Sequence, residues 1–377
     1  MDQRLGRLAD AGQSIWLDNI RRDMFRTGEL RRLIDLGLRG MTSNPTIFEK
    51  AIGAGTDYDE QLSSLAGSER DPQRLFEALA IADIRSACDE FAGLYDATGG
   101  ADGFVSLEVS PLLARDTSGT IAAAQRLWQA VDRPNVMIKI PGTPEGLPAI
   151  TETIAAGVNV NVTLLFSTEQ YEAAANAYLA GIERRVDRGE PVERVASVAS
   201  VFVSRIDTAV DKLLDERIAK GEALTELRGK VGVAGLKLTY QRFKELFEHA
   251  ERFARLRAAG AHVQRPLWAS TSTKNPSYPD LMYVEPVVAP QTVNTLPPAT
   301  LDALMDHGVI SPDTAERDVA AAREEIERVE RTGISLVQVT EQLQVDGVRL
   351  FADSYNAMLA AIAQKQQRLT SAVAAGG

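Results

Sequence analysis

Eight short apolar runs, separated by helical patterns, are the feature that most constrains this chain of 377 residues. Between most of the runs, apolar residues recur every three to four positions, which is typical of amphipathic helices. The runs are SIWLDNI (14–20), LRGMTSN (38–44), FVSLEVSP (104–111), NVMIKIPG (135–142), VNVNVTLLF (158–166), VASVASVFV (195–203), RPLWAST (265–271) and LMYVEPVV (281–288). Eight strands with helical crossovers predict an α/β fold, a parallel (β/α)8 TIM barrel.

The remaining length falls into helical segments outside this repeat. Two helical segments are predicted within residues 56–98, and a longer helical insertion within residues 222–260, before the seventh strand. The tail from about residue 314 is rich in Ala, Glu and Arg and is predicted to be helical as well. Because no internal repeat or low-complexity linker divides the chain, we expect residues 1–377 to form one barrel domain with helical additions.

Polar side chains occupy alternate positions of the predicted strands. In VMIKI, Val136, Ile138 and Ile140 share one face, whereas Lys139 lies on the other face with Met137. The aliphatic faces suit packing beneath the helices, so the polar faces point into the barrel. The inward polar residues on separate strands are Asp18, Asn44, Glu108, Lys139, Asn161, Thr163 and Ser200. Any one of them could simply satisfy a buried network, but together they favour a site at the C-terminal mouth, where barrel enzymes work.

Lys139 is the most informative of these residues, because burying an unpaired amine costs free energy. In a poorly hydrated pocket an amine loses part of its preference for the charged form, and the neutral amine attacks carbonyl carbons to form Schiff bases. The protonated imine withdraws electrons and stabilises a carbanion on the neighbouring carbon. Such chemistry needs an acid/base for the water of dehydration and a base for the hydroxyl whose carbon–carbon bond breaks. Glu108 and Asp18 are available carboxylates on other strands.

Composition narrows the classes of function. A net charge of −11 argues against nucleic acid or an anionic membrane as the general partner, although a local basic pocket for a small anion stays compatible with it. The three histidines are too scattered to form a metal motif, so no metal site is predicted, and Cys88 lies in a helical pattern typical of core packing. The N-terminus lacks an apolar signal core and no run reaches transmembrane length, which indicates a cytoplasmic enzyme or binding protein.

The chain resembles the transaldolases over nearly its whole length, with matching segments in the same order. They are WLDNI, GMTSNPTIF, SLEVSP, VMIKIPGTPEGL, GVNVNVTLLFS, SVASVFVSRID and LPPATLDALMDHG. TSNPTIF, NVTLLFS and SVFVSRID are specific to that family when taken together, and the long inserts are similar to its longer actinobacterial and plant-like branch. The resemblance implies a barrel of the class I aldolase type.

The resemblance also implies a reaction of the pentose phosphate pathway that needs no cofactor. A dihydroxyacetone unit moves from a ketose phosphate to an aldose phosphate through a lysine Schiff base. Sedoheptulose 7-phosphate and glyceraldehyde 3-phosphate would thus give erythrose 4-phosphate and fructose 6-phosphate. The implied partners are these sugar phosphates, without nucleic acid or membrane.

Individual residues receive roles from the same resemblance. Lys139 matches the Schiff-base lysine, and Asp18 matches the residue that takes the proton from the C4 hydroxyl as the C3–C4 bond breaks. Glu108 matches the acid/base that works through a water, which Thr163 holds. The positions that hold the dihydroxyacetone hydroxyls are Asn44, Asn161 and Ser200, with Thr42 in support.

The phosphate group and the enamine receive their own residues. Arg205 matches the phosphate-binding arginine, whose planar guanidinium suits two phosphate oxygens at once. Other branches have a second arginine after the seventh strand, where this chain has ASTSTKNP. Lys274 is the expected substitute, with Ser270 nearby, and a solvated loop lysine is the alternative. Phe202 follows Ser200 on the inward face, where its ring either fills the barrel or keeps water from the enamine.

Three interpretations stay open at the level of sequence. The first is a transaldolase, and the second is a class I aldolase of the fructose-6-phosphate type that releases free dihydroxyacetone. The third is a non-catalytic sugar-phosphate-binding barrel, which would need no buried amine. A metal-dependent aldolase is disfavoured by the lack of a histidine cluster. Lys237 is the rival amine, but its surroundings have helical periodicity. A monomer and a homodimer are both compatible with the sequence.

Overall fold

Eight parallel strands close into a barrel in sequence order. The structure is a computed structural model that describes residues 4–65 and 67–375. Its strands are β1 (Gln13–Asp18), β2 (Gly40–Thr42), β3 (Phe104–Glu108), β4 (Val136–Pro141), β5 (Val160–Leu165), β6 (Ser197–Phe202), β7 (Gln264–Ala269) and β8 (Thr292–Leu296). Because β8 pairs in parallel with β1, the sheet has no free edge within the described residues. The predicted (β/α)8 fold is confirmed.

Helices surround the barrel and fill the segments between its strands. They are α1 (Arg4–Asp10), α2 (Asp23–Arg26), α3 (Glu29–Asp35), α4 (Pro45–Ala54), α5 (Asp59–Leu65), α6 (Pro72–Ala97), α7 (Thr117–Val131), α8 (Gly146–Ala155), α9 (Thr168–Asp187), α10 (Ser204–Ile218), α11 (Val231–Lys244), α12 (Glu251–Ala258), α13 (Pro298–His307), α14 (Val319–Arg331) and α15 (Leu336–Ala375). A π-helical turn joins α11 to α12. The organisation of residues 1–377 as one domain stays a prediction, and residues 1–3, 66 and 376–377 lie outside the described part.

Strand alternation divides the buried residues of β4 between two environments. The outward residues are Val136, Ile138 and Ile140, which pack beneath the helices in the outer core. Met137 points the other way and packs inside the barrel with Trp16 and Phe104. Lys139 shares the face of Met137 and lies closer to the C-terminal end of the strand. An apolar layer inside the barrel therefore lies beneath the polar layer that holds Lys139.

The position of the eighth strand differs from the prediction, which was wrong for residues 281–288. This segment is irregular and ends in a 3-10 turn, and β8 begins later, at Thr292. Its apolar side chains are buried, which explains the strand-like pattern, but they pack in the outer core and not in the sheet. Two features keep this segment out of the sheet. Pro286 has no amide hydrogen for a strand ladder. The carbonyl of Val287 accepts a side-chain hydrogen bond, from the Trp268 indole at 3.0 Å, instead of a ladder hydrogen bond from a neighbouring strand.

Helix α15 crosses the C-terminal mouth of the barrel. The Gln344 amide donates to the carbonyls of Gly142 and Leu164, at 3.0 and 3.1 Å, beside the ends of β4 and β5. Farther along, the Thr46 hydroxyl donates to Ser354 at 2.9 Å and links α15 to α4. Although α15 is 40 residues long, neither it nor another helix of the described residues is apolar enough over a sufficient length to cross a membrane.

Candidate active site

A cleft of about 730 Å³ opens at the C-terminal mouth, between the strand ends and α15. Of the residues singled out in the sequence, those that line it are Asp18, Thr42, Asn44, Lys139, Ser200, Phe202, Arg205, Ser270 and Lys274. The other three, Glu108, Asn161 and Thr163, are buried in the barrel wall and do not line the cleft. The fold therefore brings residues from distant parts of the sequence to one end of the barrel.

Lys139 places its amine in the wall of this cleft, although the residue is only 4% exposed. Its Nζ lies 3.2 Å from Oε2 of Glu108 and donates to the carbonyl of Ser43 at 3.3 Å. The ring centroid of Phe351 lies 5.7 Å from the same nitrogen. A buried amine in the wall of a cleft, with its direction fixed by two neighbours, is a candidate nucleophile for a bound carbonyl.

Glu108 is brought to the amine by the pairing of β3 with β4, in which Glu108 and Lys139 are register partners. Burial raises the pKa of Glu108, the nearby Lys139 amine opposes that effect, and the charge of Asp18 adds to it. Apart from the ion pair, neither carboxyl oxygen has a hydrogen-bond partner among the described residues. A carboxyl with a raised pKa and unused oxygens is suited to exchange protons near neutral pH.

Asp18, at the end of β1, is held by a pair of threonines. The Thr42 hydroxyl donates to Oδ1 of Asp18 at 2.7 Å, and the Thr295 hydroxyl lies 2.7 Å from that of Thr42. Since Thr42 gives its hydrogen to Asp18, Thr295 is the donor of the second bond. Burial raises the pKa of Asp18, while Lys139 and the bond from Thr42 oppose the rise. Thr42 thus positions a candidate base.

Asn161 is completely buried and lies at the centre of a side-chain network. Its Nδ2 donates to the Ser106 hydroxyl at 3.0 Å, and its Oδ1 accepts from the Ser200 hydroxyl at 2.7 Å. Ser200 lines the cleft, whereas Asn161 does not. In this structure Asn161 fixes the direction of Ser200, so it can act on a bound ligand through that hydroxyl.

Thr163 lies at an irregular stretch of β5. The register with β6 shifts between Val162 and Leu165, and Leu164 adopts a φ of 59°, which is uncommon for a leucine. The hydroxyl of Thr163 is buried and has no partner among the described residues. Buried hydroxyls usually have a partner, so this one is a suitable contact for a water or ligand atom.

Asn44 follows β2 and caps helix α4. The predicted strand 38–44 thus ends earlier, at Thr42. The Oδ1 atom of Asn44 accepts a hydrogen bond from the amide of Ile47 at 3.0 Å, as N-cap residues do. With Oδ1 committed to the helix, the Nδ2 group is the part of this cleft-lining residue left for a ligand.

Arg205 and Lys274 form the basic side of the cleft. The Nη1 atom of Arg205 is buried without a partner among the described residues, and burial lowers the pKa of this guanidinium. Its carbon Cζ lies 5.4 Å from the ring centroid of Phe202 and 5.8 Å from that of Phe351. Lys274 lies in an exposed loop and donates to Ser272 at 2.7 Å, and partial burial of its amine, together with the charge of Arg205, lowers its pKa. Two cations without a carboxylate partner in the described residues suit an anionic group.

Ser270 lines the same side, with its hydroxyl 2.9 Å from that of Ser204 at the first turn of α10. Its φ of 57° is unusual for a serine and marks a turn directly after β7. The backbone of Ser204 also donates to the carbonyl of Ser270, at 3.2 Å. These bonds tie the end of β7 to the helix that carries Arg205.

Phe351 was not predicted as a site residue, yet α15 places its ring over both Lys139 and Arg205. It is 5% exposed and lines the cleft. Gly347, one turn earlier, allows the close approach, because a Cβ atom there would lie 2.9 Å from the Leu164 side chain. Helical periodicity predicted this helix, but no signal in the sequence indicates which end of the barrel it covers.

Lys237, the rival amine, lies away from the cleft. It is on α11, is 9% exposed, and its Nζ donates to the carbonyl of Arg317 at 2.8 Å. A stem along a helix surface with a satisfied ammonium group is a structural arrangement. Of the two lysines, Lys139 is therefore the one placed next to the other candidate residues.

The chain is similar to known proteins over nearly its whole length. The family described as Transaldolase/Fructose-6-phosphate aldolase matches residues 15–362. A transaldolase of Thermobifida fusca is 49% identical over 366 residues, which cover 97% of this chain and 99% of the relative. A transaldolase of Parafrankia sp. is 48% identical over 97% of this chain and 98% of the relative, and one of Trichodesmium erythraeum is 44% identical over 96% and 97%. The similarity thus extends through the helical additions.

Proposed function

The chain belongs to the transaldolase/fructose-6-phosphate aldolase family, and on that premise we propose that it is a transaldolase of the pentose phosphate pathway. It transfers a dihydroxyacetone unit between sugar phosphates through a Schiff base on Lys139. The observation that carries the role of Lys139 is its buried Nζ, 3.2 Å from Glu108 in the wall of a cleft that also contains Asp18 and Arg205. No other lysine of the described residues lines this cleft beside both carboxylates.

The first half of the reaction forms the imine. The Lys139 amine attacks the C2 carbonyl of the ketose phosphate, and the carbinolamine loses water to give a protonated imine. Glu108 supplies the proton that the leaving hydroxyl takes up and recovers it when water returns. Its raised pKa makes it competent in both directions near neutral pH. A water on the unpartnered hydroxyl of Thr163 would extend its reach.

The second half breaks and remakes the carbon–carbon bond. Asp18 takes the proton from the C4 hydroxyl, the electrons of the C3–C4 bond flow to the imine, and an aldose phosphate leaves. The remaining enamine adds to the carbonyl of the acceptor aldose, whose oxygen recovers the proton from Asp18. Hydrolysis of the new imine then frees the ketose product and Lys139. No step needs a cofactor or a metal.

The basic side of the cleft holds the phosphate, and the polar wall holds the three-carbon unit. Arg205, with its buried and unpartnered Nη1, is the principal phosphate ligand, and Lys274 adds a second positive charge. Ser200 and the Nδ2 group of Asn44 bind the hydroxyls of the dihydroxyacetone unit, and Asn161 acts through Ser200. Ser270 keeps the two basic segments in place.

The experiment that tests this function uses fructose 6-phosphate with and without erythrose 4-phosphate. A transaldolase forms sedoheptulose 7-phosphate and glyceraldehyde 3-phosphate only when the acceptor is present. Release of free dihydroxyacetone without the acceptor, at the rate of transfer, would instead establish an aldolase. Binding with neither product would leave a sugar-phosphate-binding barrel. A cytoplasmic location and a monomer or homodimer stay predictions.

A further inference from the structure

A second large cavity, of about 950 Å³, opens at the opposite, N-terminal mouth of the barrel. It is bounded by segments that precede strands, among them residues 98–104, 261–265 and 290–291. In barrel enzymes the chemistry belongs to the C-terminal mouth, and the N-terminal mouth serves stability. A cavity of the size that holds small organic ligands is therefore unexpected at this end.

The floor of the N-terminal cavity is apolar. It includes Trp16, Phe104, Met137 and Val198, each at most 3% exposed. The rings of Trp16 and Phe104 lie with their centroids 6.4 Å apart. This floor is the apolar layer that separates the cavity from the polar layer of Lys139. A flat hydrocarbon body would gain from burial against it.

Three buried donors at the cavity have no partner in the described residues. The indole Nε1 of Trp16 is buried and has no acceptor, and the Nε atoms of Arg39 and Arg265 are buried without one as well. We find no ion pair or side-chain hydrogen bond of Arg39 within residues 4–65 and 67–375. Trp16 and Arg39 are neighbours, because Trp16 is the register partner of Gly40. Buried donors without acceptors are costly, and a ligand acceptor removes that cost.

Arg265, at the same mouth, differs from Arg39 because both of its Nη atoms are engaged, although its Nε has no partner among the described residues. It pairs with Asp102 at 3.0 Å and donates to the Ser14 hydroxyl at 2.6 Å and to the carbonyl of Thr292 at 2.7 Å. The charge of Asp102 is thereby compensated, and the exposed Glu248 on the rim is balanced by the exposed Arg257. The charge of Arg39 is left without a partner.

We propose that the N-terminal cavity binds a small amphipathic organic monoanion, with a planar apolar body on the floor of Trp16 and Met137 and a carboxylate on Arg39. The apolar floor selects the body, and the free guanidinium selects the anionic group. The Trp16 indole donates to an acceptor atom of the same ligand. This site is independent of the reaction at Lys139 and takes a different class of molecule from a sugar phosphate.

The test is calorimetric titration of the full chain with naphthalene-2-carboxylate and with its neutral analogue naphthalene-2-carboxamide. We expect saturable binding of the carboxylate at one site, about ten-fold tighter than that of the amide, as one charge-assisted hydrogen-bonded contact provides. Arg39→Gln should abolish the difference between the two probes, and Arg39→Lys should retain part of it. Arg32→Gln, at an exposed arginine of α3, is the matched control and should change neither affinity.

Saturating fructose 6-phosphate distinguishes the two mouths. It should not displace the carboxylate probe, and transfer activity of Arg39→Gln without probe should equal that of the wild type. Displacement by the sugar phosphate would place the probe on Arg205 or Lys274 and overturn the proposal. No saturable heat up to millimolar probe, equal affinity for both probes, or full carboxylate affinity in Arg39→Gln would overturn it too. Circular dichroism of each variant confirms that the fold is intact.

Discussion

Two arginines at opposite ends of the barrel show how differently its two mouths use buried charge. At the N-terminal mouth, both Nη atoms of Arg265 are bound, by Asp102, by a hydroxyl and by two carbonyls, although its Nε has no partner among the described residues. Arg205, at the C-terminal mouth, presents a buried Nη1 without a partner among the described residues, and two aromatic rings flank it. The charge of Arg265 is compensated by Asp102 within the fold, whereas the charge of Arg205 has no carboxylate partner among the described residues and suits an anionic ligand.

The carboxylates follow the same division. Asp102 accepts from Arg265 and from the Ser14 hydroxyl, at 2.6 Å for the latter. Glu108 has only its ion pair with Lys139, and its pKa is raised by burial. Polar groups that satisfy one another stabilise a fold, and groups kept short of partners retain capacity for a substrate. At the N-terminal mouth, Arg39 has neither an ion pair nor a side-chain hydrogen bond among the described residues, which supports the proposed anion site.

The largest contrast comes from removing one cation at each mouth. Lys139→Met should lower kcat/KM by about 10⁴-fold or more because the covalent route is lost. Its fold should survive, since Glu108 can take up a proton in place of the ion pair. Arg265→Met should leave kcat/KM unchanged but lower the free energy of unfolding by about 1–2 kcal/mol, because the partly buried Asp102 loses its ion pair and keeps only the hydrogen bond from Ser14. Steady-state assays and urea unfolding measure both. An inactive Arg265→Met variant with the stability of the wild type would contradict the assignment of Arg265 to stability and of Lys139 to catalysis.

The difference between the two mouths of the barrel could be predicted only in part from the sequence. The period of two in VMIKI places Lys139 inside the barrel and the aliphatic residues outside, and the structure agrees. The prediction of a strand at residues 281–288 was wrong because burial produces the same apolar pattern in an irregular segment as in a strand. The cover that Phe351 forms depends on tertiary packing of α15, which helical periodicity alone does not specify.

Substitution of each of the two carboxylates at the C-terminal mouth should impair a different step of the reaction. Asp18→Asn should lower turnover about 10²–10⁴-fold while still allowing imine to form, because the C4 hydroxyl loses its proton acceptor. Glu108→Gln should slow formation and hydrolysis of the imine, where water is gained or lost. Borohydride trapping of fructose 6-phosphate before the steady state measures imine in each variant. Equal trapping defects in the two variants would count against separate roles.

The acid limb of the pH profile should report Asp18. The base must be ionised, and burial raises its pKa above the usual 3.8, so kcat/KM should fall about ten-fold per pH unit as pH drops below that raised pKa. The hydrogen bond from Thr42 lowers the pKa of Asp18, so Thr42→Val should move the limb to higher pH. Thr292→Val, at the N-terminal mouth, is the control and should not move it. A limb that stays in place in Thr42→Val would refute the assignment.

The smallest effect concerns Phe202, whose ring lines the cleft next to Arg205. Phe202→Tyr adds one hydroxyl, which can order a water near the enamine. We expect a several-fold rise in the ratio of dihydroxyacetone release to transfer, with the fold unchanged. Phe104→Tyr, in the apolar layer below, serves as the control and should leave the ratio alone. An unchanged ratio in Phe202→Tyr would make its ring a packing residue.

The covalent intermediate is expected to form on Lys139 and on no other lysine. Borohydride reduction of the protein with fructose 6-phosphate, followed by peptide mass spectrometry, tests this most directly. We predict one sugar-derived mass on the peptide that contains Lys139, with full labelling in Lys237→Met and none in Lys139→Met. EDTA should not change the yield, since the imine is the electron sink. Label on Lys237, or on Lys50 at the rim of the same cleft, would contradict the assignment of Lys139 as the nucleophile.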